Sequence, residues 1–165
     1  MEKFFNIIHY CLYKTHYKMH LLANKLNPFI LLGRIPASKR KFQEQGTTLT
    51  EVVNKIWGDE RYGFSIMISG GGLVASVSFL IWGATATLSS LFDFYFYVKP
   101  VHVIAYALAS YTTCHFTVFK GDKYLLYFRQ FDKWSKTAQW KYGLLTFAFI
   151  AGSYILWLYS FRFLP

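Results

Sequence analysis

Residues 64–92, FSIMISGGGLVASVSFLIWGATATLSSLF, decide the fold because they give 29 consecutive positions without a charged side chain. An α-helix rises about 1.5 Å per residue, so about 20 such residues suffice to cross a hydrocarbon core about 30 Å thick. The stretch exceeds that length. Because consecutive glycines weaken a helix, the glycines at 70–72 predict a kink or break, with the firm span over 73–92. A single, strongly tilted helix is the alternative.

Two further apolar segments follow this stretch. Segment 98–119 has Pro100 in its first turn, where the missing N–H costs nothing, and segment 142–161 has Trp and Tyr near both ends, as interfacial belts do. We therefore expect an all-α, polytopic integral membrane protein with three transmembrane helices. The predicted spans are 64–92, 98–119 and 142–161, and the predicted domains are a basic N-terminal region at 1–63 and a membrane domain at 64–165.

Lysine and arginine are distributed unevenly around the predicted spans. The N-terminal region holds ten of them and the 120–141 loop holds six, whereas the 93–97 connector holds none. By the positive-inside rule the N-terminus and the 120–141 loop are cytoplasmic and the C-terminus lies outside. We expect a multi-pass protein of a bacterial inner membrane, since residue usage rich in Phe, Tyr and Lys is typical of an AT-rich bacterial genome.

The overall composition excludes two other classes of protein. A chain that is 54% hydrophobic and 21% aromatic is not intrinsically disordered, because disorder requires low hydrophobicity and few aromatic side chains. Cys11 and Cys114 are two thiols far apart in the sequence, which excludes a disulfide scaffold.

Segment 4–26 predicts an amphipathic helix, with apolar residues on one stripe at helical spacing and lysines elsewhere. The apolar stripe comprises Phe4, Ile8, Leu12, Met19, Leu22 and Leu26, and the lysines are Lys14, Lys18 and Lys25. Such a helix is suited to the cytoplasmic membrane interface, where anionic lipid attracts its lysines. A helix that packs against neighbouring protein segments is the alternative.

Two more amphipathic cytoplasmic helices are expected. Thr48-Leu49-Thr50-Glu51 has the form of a capping box, so a helix should begin at Thr47 or Thr48 and run toward Trp57. The 120–141 loop predicts another helix, whose apolar stripe comprises Tyr124, Phe128, Phe131, Trp134 and Ala138. Off that stripe, and expected at the membrane interface, are Arg129, Lys133 and Lys136.

Small and weakly polar residues recur at helical spacing in the first two predicted spans. In the first span they are Ser65, Ser69, Gly72, Ser76, Gly83, Thr87 and Ser90, and in the second they are His102, Tyr106, Ser110, Thr113 and Thr117. Small faces let helices approach closely in lipid, and polar groups there need partners. The two faces are therefore expected either to pack against each other within one protomer, or to form an oligomeric interface or line a narrow pore.

Histidines in the N-terminal region give a weak metal motif. His16 and His20 stand at the i, i+4 spacing that allows two imidazoles to share one ion, but no acid or cysteine is placed to complete a tetrahedral set. Interfacial or partner-facing histidines are the favoured interpretation, and no metal or cofactor is expected. His115, near the cytoplasmic end of the second span, is expected to be an interfacial imidazole.

No nucleotide-binding, hydrolase or metalloprotease motif occurs, so we do not expect an enzyme. The expected function is self-assembly into a pore or a membrane-perturbing oligomer, as in a holin-like effector. The alternative is a structural subunit that anchors a larger cell-envelope complex and docks partners on its basic cytoplasmic face. The expected partners are the anionic cytoplasmic leaflet of the bilayer and further copies or other membrane subunits. The basic run at 39–41 is too short to indicate nucleic-acid binding.

Overall fold

The computed structural model describes residues 1–31, 33, 35–92 and 98–163. The chain is 86% helical and has no strand among the described residues, which confirms the predicted all-α class. The predicted connector at 93–97 lies outside the described residues.

Eight α-helices follow one another along the described part of the chain. They are α1 (Glu2–Asn24), α2 (Pro28–Leu31), α3 (Pro36–Glu44), α4 (Leu49–Gly58), α5 (Phe64–Leu91), α6 (Pro100–Cys114), α7 (Lys123–Phe131) and α8 (Lys136–Ser160). A π-helical turn at His115–Phe119 continues α6, and 3₁₀ turns occupy Lys120–Asp122 and Phe161–Phe163.

The chain divides into two compact units, each held together by its own contacts. The first, here called the bundle unit, comprises Met1–Leu12 and Gly70–Pro165. The second, here called the N-terminal unit, comprises Tyr13–Ser69. Helices α1 and α5 each contribute residues to both units, so neither boundary falls in a loop.

Helix α5 is continuous from Phe64 to Leu91, so the predicted break at the glycines 70–72 is wrong. Gly70 packs against the Phe119 ring, which a Cβ would meet at 3.4 Å. Packing of this kind offsets the low helix propensity of glycine, which costs only about 1 kcal/mol per residue. The segment therefore forms one long helix, which is the alternative that the sequence analysis gave to a broken helix.

Capping side chains fix the start of two helices. The Thr48 hydroxyl accepts from the Glu51 backbone N–H at 3.2 Å, and the Glu51 carboxylate accepts from the Thr48 N–H at 3.0 Å, so the predicted capping box is confirmed. The Ser135 hydroxyl caps α8 by accepting from the Ala138 N–H at 3.3 Å. The last long helix therefore begins at Lys136, six residues before the predicted start of the third span.

Helix α7 is shorter than the amphipathic helix predicted across 120–141. The aromatic residues of the predicted stripe that fall within α7 are buried: Tyr124, Phe128 and Phe131. The helix ends at Phe131, however, while Trp134 lies in the following turn and Ala138 belongs to α8. The prediction of a single helix here is wrong, because the Ser135 cap starts a new one.

The first half of α1 is buried on every side. Side chains 5–11 are all buried, and they include the polar Asn6 and His9. By contrast, Met19, Leu22 and Leu26 of the predicted apolar stripe are 62%, 62% and 88% exposed. A helix buried all round is a core element, so packing against neighbouring protein segments describes this half of α1.

Two of the described helices, α5 and α8, are long and apolar enough to cross a membrane, by length and composition. Only 39% of the most apolar window of α5 and 17% of that of α8 is buried within the protein, whereas the core helix of a soluble protein is mostly buried. Helix α6 is regular for 15 residues and reaches Phe119 through the π-helical turn. Two of the three predicted spans, 64–92 and 142–161, thus coincide with helices that are long and apolar enough to cross a membrane. The span at 98–119 stays a prediction.

Candidate functional site

Helices α5, α6 and α8 of the bundle unit bury several hydroxyl side chains, beside apolar ones such as Leu73 and Val77, and expose many large apolar ones. Several hydroxyl side chains on α5, α6 and α8 are at most 6% exposed, namely Ser76, Ser110, Thr146, Ser153 and Ser160. Large apolar side chains on the same helices are 53–73% exposed, among them Leu88, Leu91, Val101, Ile104, Leu108, Leu144, Phe147 and Ile155. Helices in water bury the apolar face, so this arrangement suits apolar surroundings.

Helices α5 and α8 touch backbone to backbone at Gly83. A Cβ built on Gly83 would lie 2.8 Å from the carbonyl carbon of Leu156 and 2.9 Å from the backbone nitrogen of Trp157. Beside this contact the Phe79 and Trp157 rings stack with centroids 4.6 Å apart. Gly83 therefore serves in helix packing within one chain, as small residues do between membrane helices.

The other members of the predicted α5 face divide between the two units. Ser69 belongs to the N-terminal unit, where its hydroxyl donates to the Ile66 carbonyl at 2.9 Å. In the bundle unit the hydroxyls of Ser76 and Thr87 donate at 2.8 Å to the carbonyls of Gly72 and Gly83, one turn earlier on α5. These hydroxyls are satisfied by their own helix and need no partner chain.

The predicted polar face of α6 is satisfied in the same way but is only partly covered. The hydroxyls of Ser110, Thr113 and Thr117 donate to carbonyls four residues earlier, at 2.7–2.9 Å. His102 Nδ1 accepts from the Lys99 backbone N–H at 3.0 Å. Ser110 is fully buried, whereas the four half-buried members of the face are His102, Tyr106, Thr113 and Thr117.

Helix α8 carries a polar face that our sequence reasoning missed. Thr146, Ser153 and Ser160 are at most 4% exposed and recur at intervals of seven residues. The hydroxyls of Ser153 and Ser160 donate to the Phe149 and Trp157 carbonyls at 2.8 and 2.6 Å. The seven-residue spacing was the available signal, since it keeps residues on one side of a helix.

The π-helical turn after α6 is held by a side chain from α1. Asn6 Nδ2 donates to the Thr117 carbonyl at 3.0 Å and to the Glu2 carbonyl at 2.9 Å. Lys123 Nζ donates to the Phe116 carbonyl at 3.3 Å. A π turn displaces carbonyls from their usual α-helical partners, so these donors stabilise the irregular geometry. No sequence pattern indicated that Asn6, which is fully buried, would do this.

Helices α1 and α7 are joined at their polar ends and along an aromatic core. The Glu2 carboxylate accepts from Lys123 Nζ at 2.9 Å and from the Tyr127 hydroxyl at 3.2 Å. The hydrogen bond from Lys123 lowers the pKa of the Glu2 carboxyl. In the aromatic core between α1 and α7, the centroid of the His9 ring lies 5.4 Å from the ring centroids of both Tyr124 and Phe128. His9 is therefore part of an aromatic core.

In the N-terminal unit, His16 and His20 both stack on Trp57. The ring centroids are 5.7 Å apart for His16 and 4.3 Å for His20, with interplanar angles of 16° and 7°. Asn24 Nδ2 lies 2.7 Å from His20 Nε2 and donates to Asn54 Oδ1 at 2.7 Å. The imidazoles are thus engaged by neighbours in their own chain. No cluster of three or more His, Cys, Asp or Glu side chains placed for a metal ion occurs among the described residues.

Burial shifts the pKa of the His20 imidazole. Its side chain is 8% exposed, and desolvation lowers its pKa below the ordinary value of 6.5. A hydrogen bond with Asn54 opposes this effect and the charge of His16 adds to it. His20 is accordingly neutral near pH 7, as a stacked and buried imidazole should be.

The predicted interfacial cations lie at the surface of their units. Exposed among them are Lys18 and Lys25 in the N-terminal unit and Arg129, Lys133 and Lys136 in the bundle unit. Lys14 is half-buried, with its ammonium 5.7 Å from the centre of the Tyr13 ring.

No family model, curated protein or solved structure matches the chain. Its class therefore follows from its fold and from the placement of its polar side chains. It is an all-helical protein in which, over residues 1–31, 33, 35–92 and 98–163, two helices are long and apolar enough to cross a membrane.

Proposed function

We propose that the chain is a non-enzymatic, polytopic protein of a bacterial inner membrane, whose spans are α5, α8 and the helix from Pro100 to Phe119. The many large apolar side chains exposed on these helices, beside buried hydroxyls, carry this proposal. Burying a large apolar side chain is worth about 1.5–3 kcal/mol relative to leaving it in water. The many such side chains exposed on these helices would be strongly unfavourable in water, and a hydrocarbon core removes that penalty.

The proposed orientation has the N-terminus and the 120–141 segment in the cytoplasm and the C-terminus outside. Arg129, Lys133 and Lys136 are exposed around the start of α8, where anionic headgroups would attract them. Trp140, in the second turn of α8, is 80% exposed and is of the residue type that settles at a membrane interface. Both features support the cytoplasmic interface at this end of α8.

Within the membrane, an anchoring subunit of a larger cell-envelope complex is the function that the geometry supports best. Gly83 is in contact with α8 of the same chain, and the hydroxyls of Thr87, Ser110 and Ser153 bond their own helices. The small and polar faces are thus largely used inside one protomer. The basic, exposed surface of the cytoplasmic segments remains for docking partners.

A self-assembled pore or membrane-perturbing oligomer is the second candidate, and the α6 face is what favours it. His102, Tyr106 and Thr113 are only half-buried in the single chain. Lipid is a poor environment for such groups, so a second copy or water would cover them better. In a pore of this kind, the polar face of α6 would line the path of the permeating species.

Expression of the chain alone, followed by native mass spectrometry of the detergent-purified particle, tests the two candidates. An anchor should appear as a single 19.3 kDa copy or be unstable without its partners, whereas a pore should appear as a multiple of that mass. Recovery of the chain from the soluble fraction without detergent would contradict the membrane location itself.

Thr113→Lys gives an independent test. In a water-filled lining the ammonium is solvated, so the variant should assemble and shift ion selectivity toward anions. Between packed helices a lysine costs up to about 2.5–3.5 kcal/mol on insertion, the value at a span centre, so the variant should accumulate poorly. Thr113→Val is the matched control, because the Thr113 hydroxyl bonds only its own helix, and it should be tolerated in both cases.

A further inference from the structure

The second half of α1 has two faces in different surroundings. His20 and Asn24 are each 8% exposed and contact Trp57 and Asn54 of α4. The opposite face carries Met19 and Leu22, both 62% exposed, and the turn that follows α1 carries Leu26, which is 88% exposed. A spacing of three residues keeps Met19 and Leu22 on one side of α1, and together with Leu26 they are here called the outward stripe. Adjacent exposed side chains of this kind mark an interaction surface rather than scattered apolar residues.

A row of lysines borders the outward stripe. Lys14 and Lys18 are four residues apart on α1, where about 100° per residue places them along one edge of the stripe, and Lys25 lies in the turn that follows α1. No acidic residue occurs over 3–43, so the electrostatic complement of this face is an anionic surface. Lysines beside an apolar stripe lay their alkyl stems on it and keep the ammonium in water.

We infer that the outward stripe docks the N-terminal unit onto an anionic lipid surface, with Met19, Leu22 and Leu26 among the acyl chains and the bordering lysines at the headgroups. The inference rests on the proposed membrane location. A helix of this design lies in the plane of the interface, with its apolar face about 5–10 Å into the boundary between headgroups and acyl chains. Burial of residues 5–11 restricts the docking to the second half of α1.

A fluorescent probe at position 22 tests the docking in the full chain. Leu22→Cys is labelled with an NBD fluorophore after Cys11→Ala and Cys114→Ala have removed the native thiols, and the helicity of this parent must match that of the unmodified chain. The protein is reconstituted into phosphatidylcholine vesicles with or without phosphatidylglycerol. Nitroxides attached near the top of the acyl chains should quench the probe strongly in the anionic vesicles.

Ile56→Cys in the same background is the matched control. Ile56 is also apolar and is 49% exposed. It points away from α1, because Asn54 and Trp57 on the same helix are the side chains that contact α1. Its probe should therefore stay unquenched, and quenching at position 56 in place of position 22 would assign the docking face to α4 and overturn the inference.

The bordering lysines predict the dependence on lipid charge. Lys18→Gln and Lys25→Gln should each lower the docking equilibrium about fivefold in anionic vesicles, which is the effect of one lysine near such a surface. Neither change should alter quenching in vesicles of phosphatidylcholine alone. Equal quenching of the parent and both variants in anionic vesicles would contradict the role of the lysines.

Flotation of the vesicles separates failure of this inference from failure of the proposed function. If the chain floats but position 22 escapes quenching, the docking is overturned and the membrane location stands. If the probe emission shifts to the blue and nitroxide lipids do not quench it, a protein surface such as a second copy covers the stripe, which also overturns the docking. A chain that does not float contradicts both.

Discussion

Gly83→Ala should destabilise the bundle unit, because even one methyl group has no room at this position. A Cβ there lies 2.8 Å from the carbonyl carbon of Leu156 and 2.9 Å from the nitrogen of Trp157. These are backbone atoms of α8 and cannot rotate away, so α5 and α8 must separate by about 0.6 Å to reach ordinary contact. Overpacking of this kind typically costs about 1–3 kcal/mol.

Gly71→Ala, on the same helix, is the matched control. Nothing lies within 4 Å of a Cβ at Gly71, so this variant should gain helix propensity and up to about 1 kcal/mol of stability. Unfolding from mild detergent by increasing SDS, followed by circular dichroism, gives the free energy of unfolding of both variants. We expect Gly83→Ala to lie about 2 kcal/mol or more below Gly71→Ala. Equal stabilities would refute the close contact between α5 and α8.

Two further predictions concern polar side chains that the helices bury. Asn6→Leu should lower the free energy of unfolding by about 1–3 kcal/mol, because it leaves the Thr117 carbonyl of the π turn without its donor. An unchanged midpoint in SDS unfolding would show that the turn does not need Asn6. Folding lowers the pKa of His20, so the unfolded chain binds the proton more tightly than the folded chain. The contribution of His20 to the free energy of unfolding is therefore fully present above pH 6.5 and is lost as the pH falls below that value. His20→Gln should flatten this loss in thermal unfolding between about pH 7 and pH 5, and an unaltered slope would assign the loss to another group.

Features that depend on neighbouring residues were predictable from the sequence. The all-α class follows from long apolar segments, and the capping box at Thr48 and Glu51 needs only residues three positions apart. The burial of Tyr124, Phe128 and Phe131 follows from their helical spacing. In each case the physical cause lies within one helix.

Features that depend on tertiary packing were predicted wrongly or missed. The glycines at 70–72 do not break α5, where Phe119 packs against Gly70. In the second half of α1 the apolar stripe does not mark the buried face, because His20 and Asn24 find partners on α4 and are buried instead. A periodic pattern separates polar from apolar residues, but it does not show which polar residues will find hydrogen-bond or stacking partners on another helix. The contact of Asn6 with Thr117 joins residues 111 positions apart, beyond any local pattern.

Cysteine labelling from outside intact cells tests the proposed membrane topology most directly. In a background without Cys11 and Cys114, single cysteines replace Ser38, Tyr97 and Ser135, where Tyr97 belongs to the connector outside the described residues. A three-span chain with a cytoplasmic N-terminus predicts that an impermeant maleimide labels position 97 in intact cells and labels positions 38 and 135 only after permeabilisation. Labelling of position 38 in intact cells would contradict the orientation, and labelling of position 135 without position 97 would contradict the three spans.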